Sequence, residues 1–232
     1  DPVEYVFTPK KCIFNQREVG NDTHAFHDAL RNAMRQAPDV IFIGEIRDRD
    51  TMSAALAYAM SGHLVVATLH ATNSSHALNR VISFFPLEVR PMLLQDLSVS
   101  LRAISSQRLV KTVDGKRTPA VEVLLNTRNV AEAIEKGEVG EVKEMMERSM
   151  SPGSQTFEQD LFRLVRQGRI STDEALANAD SATNLGLLLG NSGIMPAMAE
   201  RAKGVAAPAK GGGSSFSDFK ISEEPSEPRF GG

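Results

Sequence analysis

The segment Gly44-Glu45-Ile46-Arg47-Asp48 follows the short apolar run Val40-Ile41-Phe42-Ile43 and gathers two carboxylates and a guanidinium in one turn of chain. A continuous β-branched and aromatic run suits a strand covered on both faces of a parallel sheet. Glu45 would then stand at the carboxyl end of that strand, where open α/β sheets place their ligands. A carboxylate delivered there can order a metal-bound water or take a proton from it, which is chemistry of nucleotide hydrolysis. His70 ends a second apolar run, Leu64 to Leu69, and brings an imidazole to the same edge. His63 begins that run and lies about 20 Å away at strand rise, so the two histidines cannot share one site. Glu4 is a second carboxylate, expected at the end of a neighbouring strand, where with Glu45 it would suit a Mg²⁺ and water site. Arg47 and Asp48 are expected to form a local ion pair that fixes Glu45, or Arg47 to face a neighbouring subunit. Arg31, Arg35 and Arg80 fall on helical faces near the site, as phosphate contacts in trans or as solvated charges. No zinc spacing joins His24, His27 and His76, which read as surface residues.

These side chains need a scaffold, and the pattern supplies one. Asp22-Thr23 reads as the N-cap of a helix over about 23–37 with an apolar stripe of Phe26, Leu30, Ala33 and Met34, stopped by Pro38. After the strand at 40–44, Asp50 is expected to cap a helix over about 51–61 that buries Met52, Ala55, Leu56 and Ala59 and ends at Gly62. A strand over 64–69 completes a βαβ unit with a parallel sheet. Helices are predicted over about 76–85 and 91–110, the latter with Met92, Leu93, Leu97, Leu101, Ile104 and Leu109 on its apolar face. Asp114-Gly115 marks a turn between strands 108–113 and 117–125. Helices follow at about 128–136, 139–149, 156–167 and 172–179, with capping boxes at Thr156/Gln159 and Ser171/Glu174. The fold expected is α/β with a small helical module beside it. The divisions are 1–125, 126–190 and a tail at 191–232 whose Gly, Ser, Pro and Lys content reads as disordered.

Composition excludes several classes. The net charge is -3, from 26 Lys and Arg against 29 Asp and Glu, which gives no polybasic nucleic-acid surface. Trp is absent, which argues against base-stacking platforms. The single cysteine, Cys12, allows neither an internal disulfide nor a cysteine zinc site and fits a reducing cytosol. No apolar run reaches the roughly 18 residues of a membrane span. A Gly-x-x-x-x-Gly-Lys-Ser/Thr loop, whose backbone N–H groups would cradle phosphates, occurs nowhere in the chain. The opening Asp1 to Phe7 reads as the end of a strand, as though the chain began inside a domain.

Arg35 to Asp48, together with Gly62-His63-Leu64-Val65 and Thr68-Leu69-His70-Ala71-Thr72-Asn73-Ser74, resembles the secretion ATPase superfamily. These are the hexameric motors of type II secretion, type IV pili and type IV secretion. Gly44-Glu45 looks like the family's atypical Walker B, 63–74 like its His box, and Asp1-Pro2-Val3-Glu4 like the end of its Asp box. Gln16-Arg17-Glu18-Val19-Gly20 and Ser106-Gln107-Arg108-Leu109-Val110 also match. The resemblance spans about residues 1–180 and implies a partial RecA-like P-loop NTPase core that uses ATP and Mg²⁺. It implies that Glu45 orients or deprotonates the attacking water and reaches Mg²⁺ through water. Glu4 would share the metal site, and His70 would sense the nucleotide, with Arg47 and Asp48 beside it. Extension and type II secretion motors usually carry a four-cysteine zinc subdomain after the position of Val110, where this chain has only a hairpin. The chain therefore looks like the pilus retraction branch, the PilT/PilU type. Asn129-Val130-Ala131-Glu132-Ala133 replaces that branch's Ala-Ile-Arg-Asn-Leu motif, which favours the accessory paralogue over the main motor. The partners implied are a homo-hexamer or a mixed assembly with the main retraction ATPase, and a pilus inner-membrane platform protein. The location implied is cytoplasmic, at the inner-membrane pilus base. The family's P-loop stands just upstream of the position of Asp1, so the chain is expected to be the C-terminal part of a motor, inactive in hydrolysis by itself. The alternatives are a non-catalytic subunit that binds the main motor, and an extension or type II secretion motor.

Overall fold

A computed structural model describes residues 3–149 and 151–193. The tail expected at 191–232 lies, from residue 194 on, outside the described residues. Residues 3–25 form no strand or helix; Gln16 clasps this segment by accepting from Phe7 N at 2.8 Å and donating to Tyr5 O at 2.6 Å. The first helix, α1 (Phe26–Met34), is shorter than expected, and Ala25 at its N-cap position makes no side-chain cap. Thr23 is spent locally on Ala25 O instead.

Strand β1 (Val40–Ile43) and strand β2 (Leu64–Ala67) pair in parallel, Val40 opposite Leu64 and Ile43 opposite Ala67, through helix α2 (Arg49–Met60). The expected βαβ unit is therefore present. Gly62 ends α2 with φ +100°, a conformation that glycine adopts without a Cβ penalty. The expectation of a strand covered on both faces is corrected. Ile41 and Ile43 are buried with Leu30, Met52 and Leu56, whereas Val40 and Phe42 alternate outward at 53% and 66% exposure. No described element covers that second face.

Helix α3 (Ser74–Ser83) follows, then α4 (Arg90–Ser100). The helix predicted over 91–110 stops at Ser100. Leu101 turns to ψ 138°, and the chain becomes strand β3 (Ala103–Lys111), antiparallel to β4 (Arg117–Leu125). From Ile104 to Val110 side chains alternate inward and outward with a period of two, so Leu109 faces solvent rather than a helix core. Helices α5 (Arg128–Lys136) and α6 (Val142–Arg148) share one apolar cluster with α2, α3 and α4. Helices α7 (Phe157–Arg166) and α8 (Thr172–Asn178) pack against the β3–β4 hairpin, and α9 (Ala182–Asn191) packs on α7 and α8. Their core residues Phe157, Leu161, Leu164, Ala175, Leu185 and Leu189 are fully buried. The α7 capping box forms as expected. At α8 only the Ser171 half does, because the Glu174 carboxylate accepts from Lys111 N at 2.8 Å.

Candidate functional site

Glu45 owes its position to the backbone on both sides. Gly44 O accepts from the Thr68 hydroxyl, and Ile46 N donates to Thr68 O at 3.0 Å. Ile46 is buried at 7% exposure and pins the chain after the carboxylate. The β1–β2 pairing is thus prolonged by one step beyond the strands, and it delivers Glu45 and the residues after β2 to one edge. There Glu45 Oε2 accepts from Arg47 at 2.5 Å and Oε1 lies 3.0 Å from His70 Nε2. The carboxylate is 11% exposed, the imidazole 87%. The Arg47 hydrogen bond, opposed by partial desolvation and helped by the charges of Arg47, His70 and Arg80, holds the Glu45 carboxyl below its ordinary value. The group is a carboxylate at neutral pH, and a weak base.

Beside His70 lies a shallow groove of about 390 Å³ lined by Thr72, His76, Asn79, Arg80 and Ser83 among others. Arg80 thus belongs to the edge that bears Glu45, whereas Arg31 and Arg35 are exposed on and just after α1. His63 sits at the far end of β2, in contact with Ser61 and Tyr58 O, as its strand position requires. His24, His27 and His76 are exposed.

Two expectations are corrected. Asp48 does not pair with Arg47. Asp48, not the expected Asp50, is the N-cap of α2, and its Oδ1 accepts from Thr51 N at 2.8 Å. The backbone bond to Thr51, against some desolvation, holds its carboxyl below the ordinary value. An Asp beside a helix start satisfies an N–H that has no intrahelical partner, and the nearer Glu45 takes the guanidinium. Asp48→Ala should therefore lower stability by about 1 kcal/mol in urea unfolding and leave nucleotide affinity unchanged. The cap's contribution is present above the ordinary aspartate range and fades as pH falls through the depressed folded value. Glu4 is the second correction. It is exposed, in the irregular segment before α1, and on no strand. A strand needs a paired neighbour, and the backbone next to Glu4 is bonded instead to Gln16 and Glu18.

The donor set fits Mg²⁺ in one way only. Among the described residues no three His, Cys, Asp or Glu side chains converge on a cation site. Both Glu45 oxygens are already in contact, so Glu45 suits an outer position, through water, on a Mg²⁺ held chiefly by phosphates.

Sequence reasoning did not find the residues that hold the His70 segment. Asn73 caps α3, and Ser74 N donates at 2.7 Å to Glu122 of β4, a carboxylate only 2% exposed. Arg108 of β3 donates to Thr72 O at 3.2 Å and to Asn178 O at 2.7 Å, and pairs with Asp180. The one available signal was Arg108's place in the matched Ser106–Val110 stretch.

A parallel βαβ unit with an acid at the carboxyl end of its first strand is an α/β arrangement of the kind that places ligands at that edge. The chain belongs to the type II/IV secretion system protein family, which matches residues 1–150. Among its relatives, the type IV pilus ATPase PilU of Pseudomonas aeruginosa is 53% identical over 190 residues, 82% of this chain and 50% of that protein. The type IV pilus retraction ATPase PilT of the same organism is 40% identical over 184 residues, 79% of this chain and 54% of that protein. The crystal structure of the pilus retraction motor PilT with bound ADP superposes with a TM-score of 0.73 at 40% identity, over 81% of this chain and 53% of that one. The chain spans about half the length of the curated relatives it matches. The fold is thus that of the PilT-type secretion ATPases, RecA-like in its α/β core.

Proposed function

We propose that these residues form the hydrolytic half of an ATP-driven motor that retracts type IV pili, acting as the accessory PilU-like paralogue. The observation that carries this reading is Glu45, set at the carboxyl end of β1 between Arg47 and His70. It is supported by the higher identity to PilU than to PilT. Glu45 orients the attacking water. Its depressed carboxyl favours aligning that water and bearing charge over removing a proton early. Arg47 fixes the carboxylate, and His70, on the exposed side of the same edge, responds to the nucleotide. Bound Mg²⁺ would neutralise charge on the phosphates. No Gly-x-x-x-x-Gly-Lys-Ser/Thr phosphate loop occurs among these residues, and on this reading they do not hydrolyse ATP by themselves. Residues 1–125 are read as the C-terminal part of the ATPase core and 126–190 as its helical module. The assembly is a homo-hexamer or a mixed ring with the main retraction ATPase, docked on the pilus platform protein at the cytoplasmic face of the inner membrane. No described helix is long and apolar enough to cross a membrane.

The test is complementation of twitching in a strain deleted for the gene. The intact gene should restore movement and its Glu45→Gln version should not. Restoration by Glu45→Gln would replace the motor reading with that of a non-catalytic binding subunit.

A further inference from the structure

Two parts of the chain that are far apart in sequence meet at one guanidinium. Arg108 lies on the inward face of β3, its side chain 23% exposed, with its cationic carbon 4.0 Å above the ring of fully buried Phe157 in α7. On one side it bonds Asn178 O and pairs with Asp180, at the junction of α8 and α9. On the other it bonds Thr72 O, two residues after His70. Asp180 closes the circuit: its Oδ2 accepts at 2.9 Å from Asn73, the residue that caps α3. Lys143 of α6 stands 3.7 Å from Asp180 and 3.0 Å from Glu158, and Glu158 also accepts from Ser181 N at 2.7 Å. The helices α7 to α9 and the His70 segment therefore share one charged joint, in which a planar fork makes several directed bonds at once.

We infer that the Arg108–Asp180 joint couples the C-terminal helices to His70 and, through it, to Glu45, which makes Arg108 and Asp180 positioning residues for ATP hydrolysis. The inference rests on the hydrolytic reading above. The segment 70–73 is held at three points: His70 by its bond to Glu45, Thr72 by Arg108 on its carbonyl, and Asn73 by its bond to Asp180. A shift of α8 and α9 relative to β3 is felt at Thr72 and Asn73, because both are bonded directly to the joint. The same linkage works in reverse, so a phosphate that displaces His70 from Glu45 loads the joint.

Asp180→Asn tests this in the intact protein that carries this sequence, because it turns one of two acceptor oxygens into a donor facing Arg108 or Asn73. Glu174→Gln is the control: it weakens another tie between α8 and β3, at Lys111 N, and the bond from the Asn178 side chain, while leaving the Asn178 carbonyl, Asp180 and residues 70–74 unsubstituted. Asp180→Asn should lower kcat for ATP by roughly 10- to 100-fold, with KM changed by less than about 3-fold. Its Tm should match that of Glu174→Gln, whose kcat should stay within about 2-fold of the parent. Arg108→Lys should not rescue, since an ammonium cannot reach Thr72, Asn178 and Asp180 together. Equal losses of kcat in the two variants, or an unchanged kcat in Asp180→Asn, would overturn the inference. If the parent protein hydrolyses no ATP, the hydrolytic reading fails by itself. The joint is then decided by amide exchange at residues 70–74, which should be roughly tenfold faster in Asp180→Asn than in Glu174→Gln. Equal exchange in both would overturn it.

Discussion

Glu45→Gln should lower ATP turnover of the intact protein by a factor of about 10²–10⁴, with nucleotide affinity and Tm nearly unchanged. The substitution is isosteric, and its amide oxygen still accepts from Arg47, so the turn after β1 keeps its geometry. What it removes is charge at the one place where charge can act on water. The pair with Arg47 adds little to stability, because the guanidinium is 66% exposed and such pairs are worth little in water. A loss of turnover with no loss of Tm therefore separates a hydrolytic carboxylate from a structural one. Steady-state hydrolysis, with binding of a non-hydrolysable nucleotide analogue, measures both halves. Turnover within about 3-fold of the parent would make Glu45 merely the partner of Arg47. The pH dependence has a definite sign. Arg47 depresses the folded carboxyl, so the charged form persists below the ordinary glutamate range. The acid limb of turnover should therefore fall at lower pH than an unperturbed glutamate would give, and Arg47→Gln should move it upward.

The sequence made Glu45 visible because the signal was local: an apolar run, a glycine and an acid in consecutive positions. Helices α7 and α8 were legible for the same reason, through N-terminal caps at Thr156 and Ser171. Strand β3 was misread because Leu93, Leu97, Leu101 and Ile104 continue a helical stripe past the point where the backbone turns extended. The alternation that replaces it shows only across Ser106, Arg108 and Val110. Asp48 was ambiguous because an Asp before a helix has the same local pattern whether it caps or binds. The Arg108–Asp180 pair was out of reach, since residues 72 apart in sequence become neighbours only once α7 and α8 fold against the hairpin. The outward face of β1 is the converse case. Val40 and Phe42 carry the pattern of a two-sided core strand, and no described element covers the face they share with Leu64 and Val66.

Phe157→Ala should cost about 3–5 kcal/mol in denaturant unfolding, the largest stability loss expected of any single truncation here. Phe157 is fully buried at the first turn of α7, in a small core whose other members, Leu161, Leu164, Leu185 and Leu189, are equally buried and have no room to collapse into a cavity. The ring also supports Arg108, and a cation over an aromatic face contributes roughly 0.5–2 kcal/mol beyond the area buried. Phe157→Leu divides these effects, because leucine keeps most of the apolar volume and none of the π face. If the ring only fills space, Phe157→Leu should behave as a mild core variant, with ATP turnover unchanged. If the ring also sets the height of Arg108 above α7, the guanidinium settles and its reach to Thr72 O, already 3.2 Å, is lost. Turnover should then fall further than stability does. A leucine variant that loses turnover while α7 to α9 stay folded would place the stacking contact in the same linkage as Asp180. It would make the hairpin face between β3 and α7 the route by which the helices act on His70.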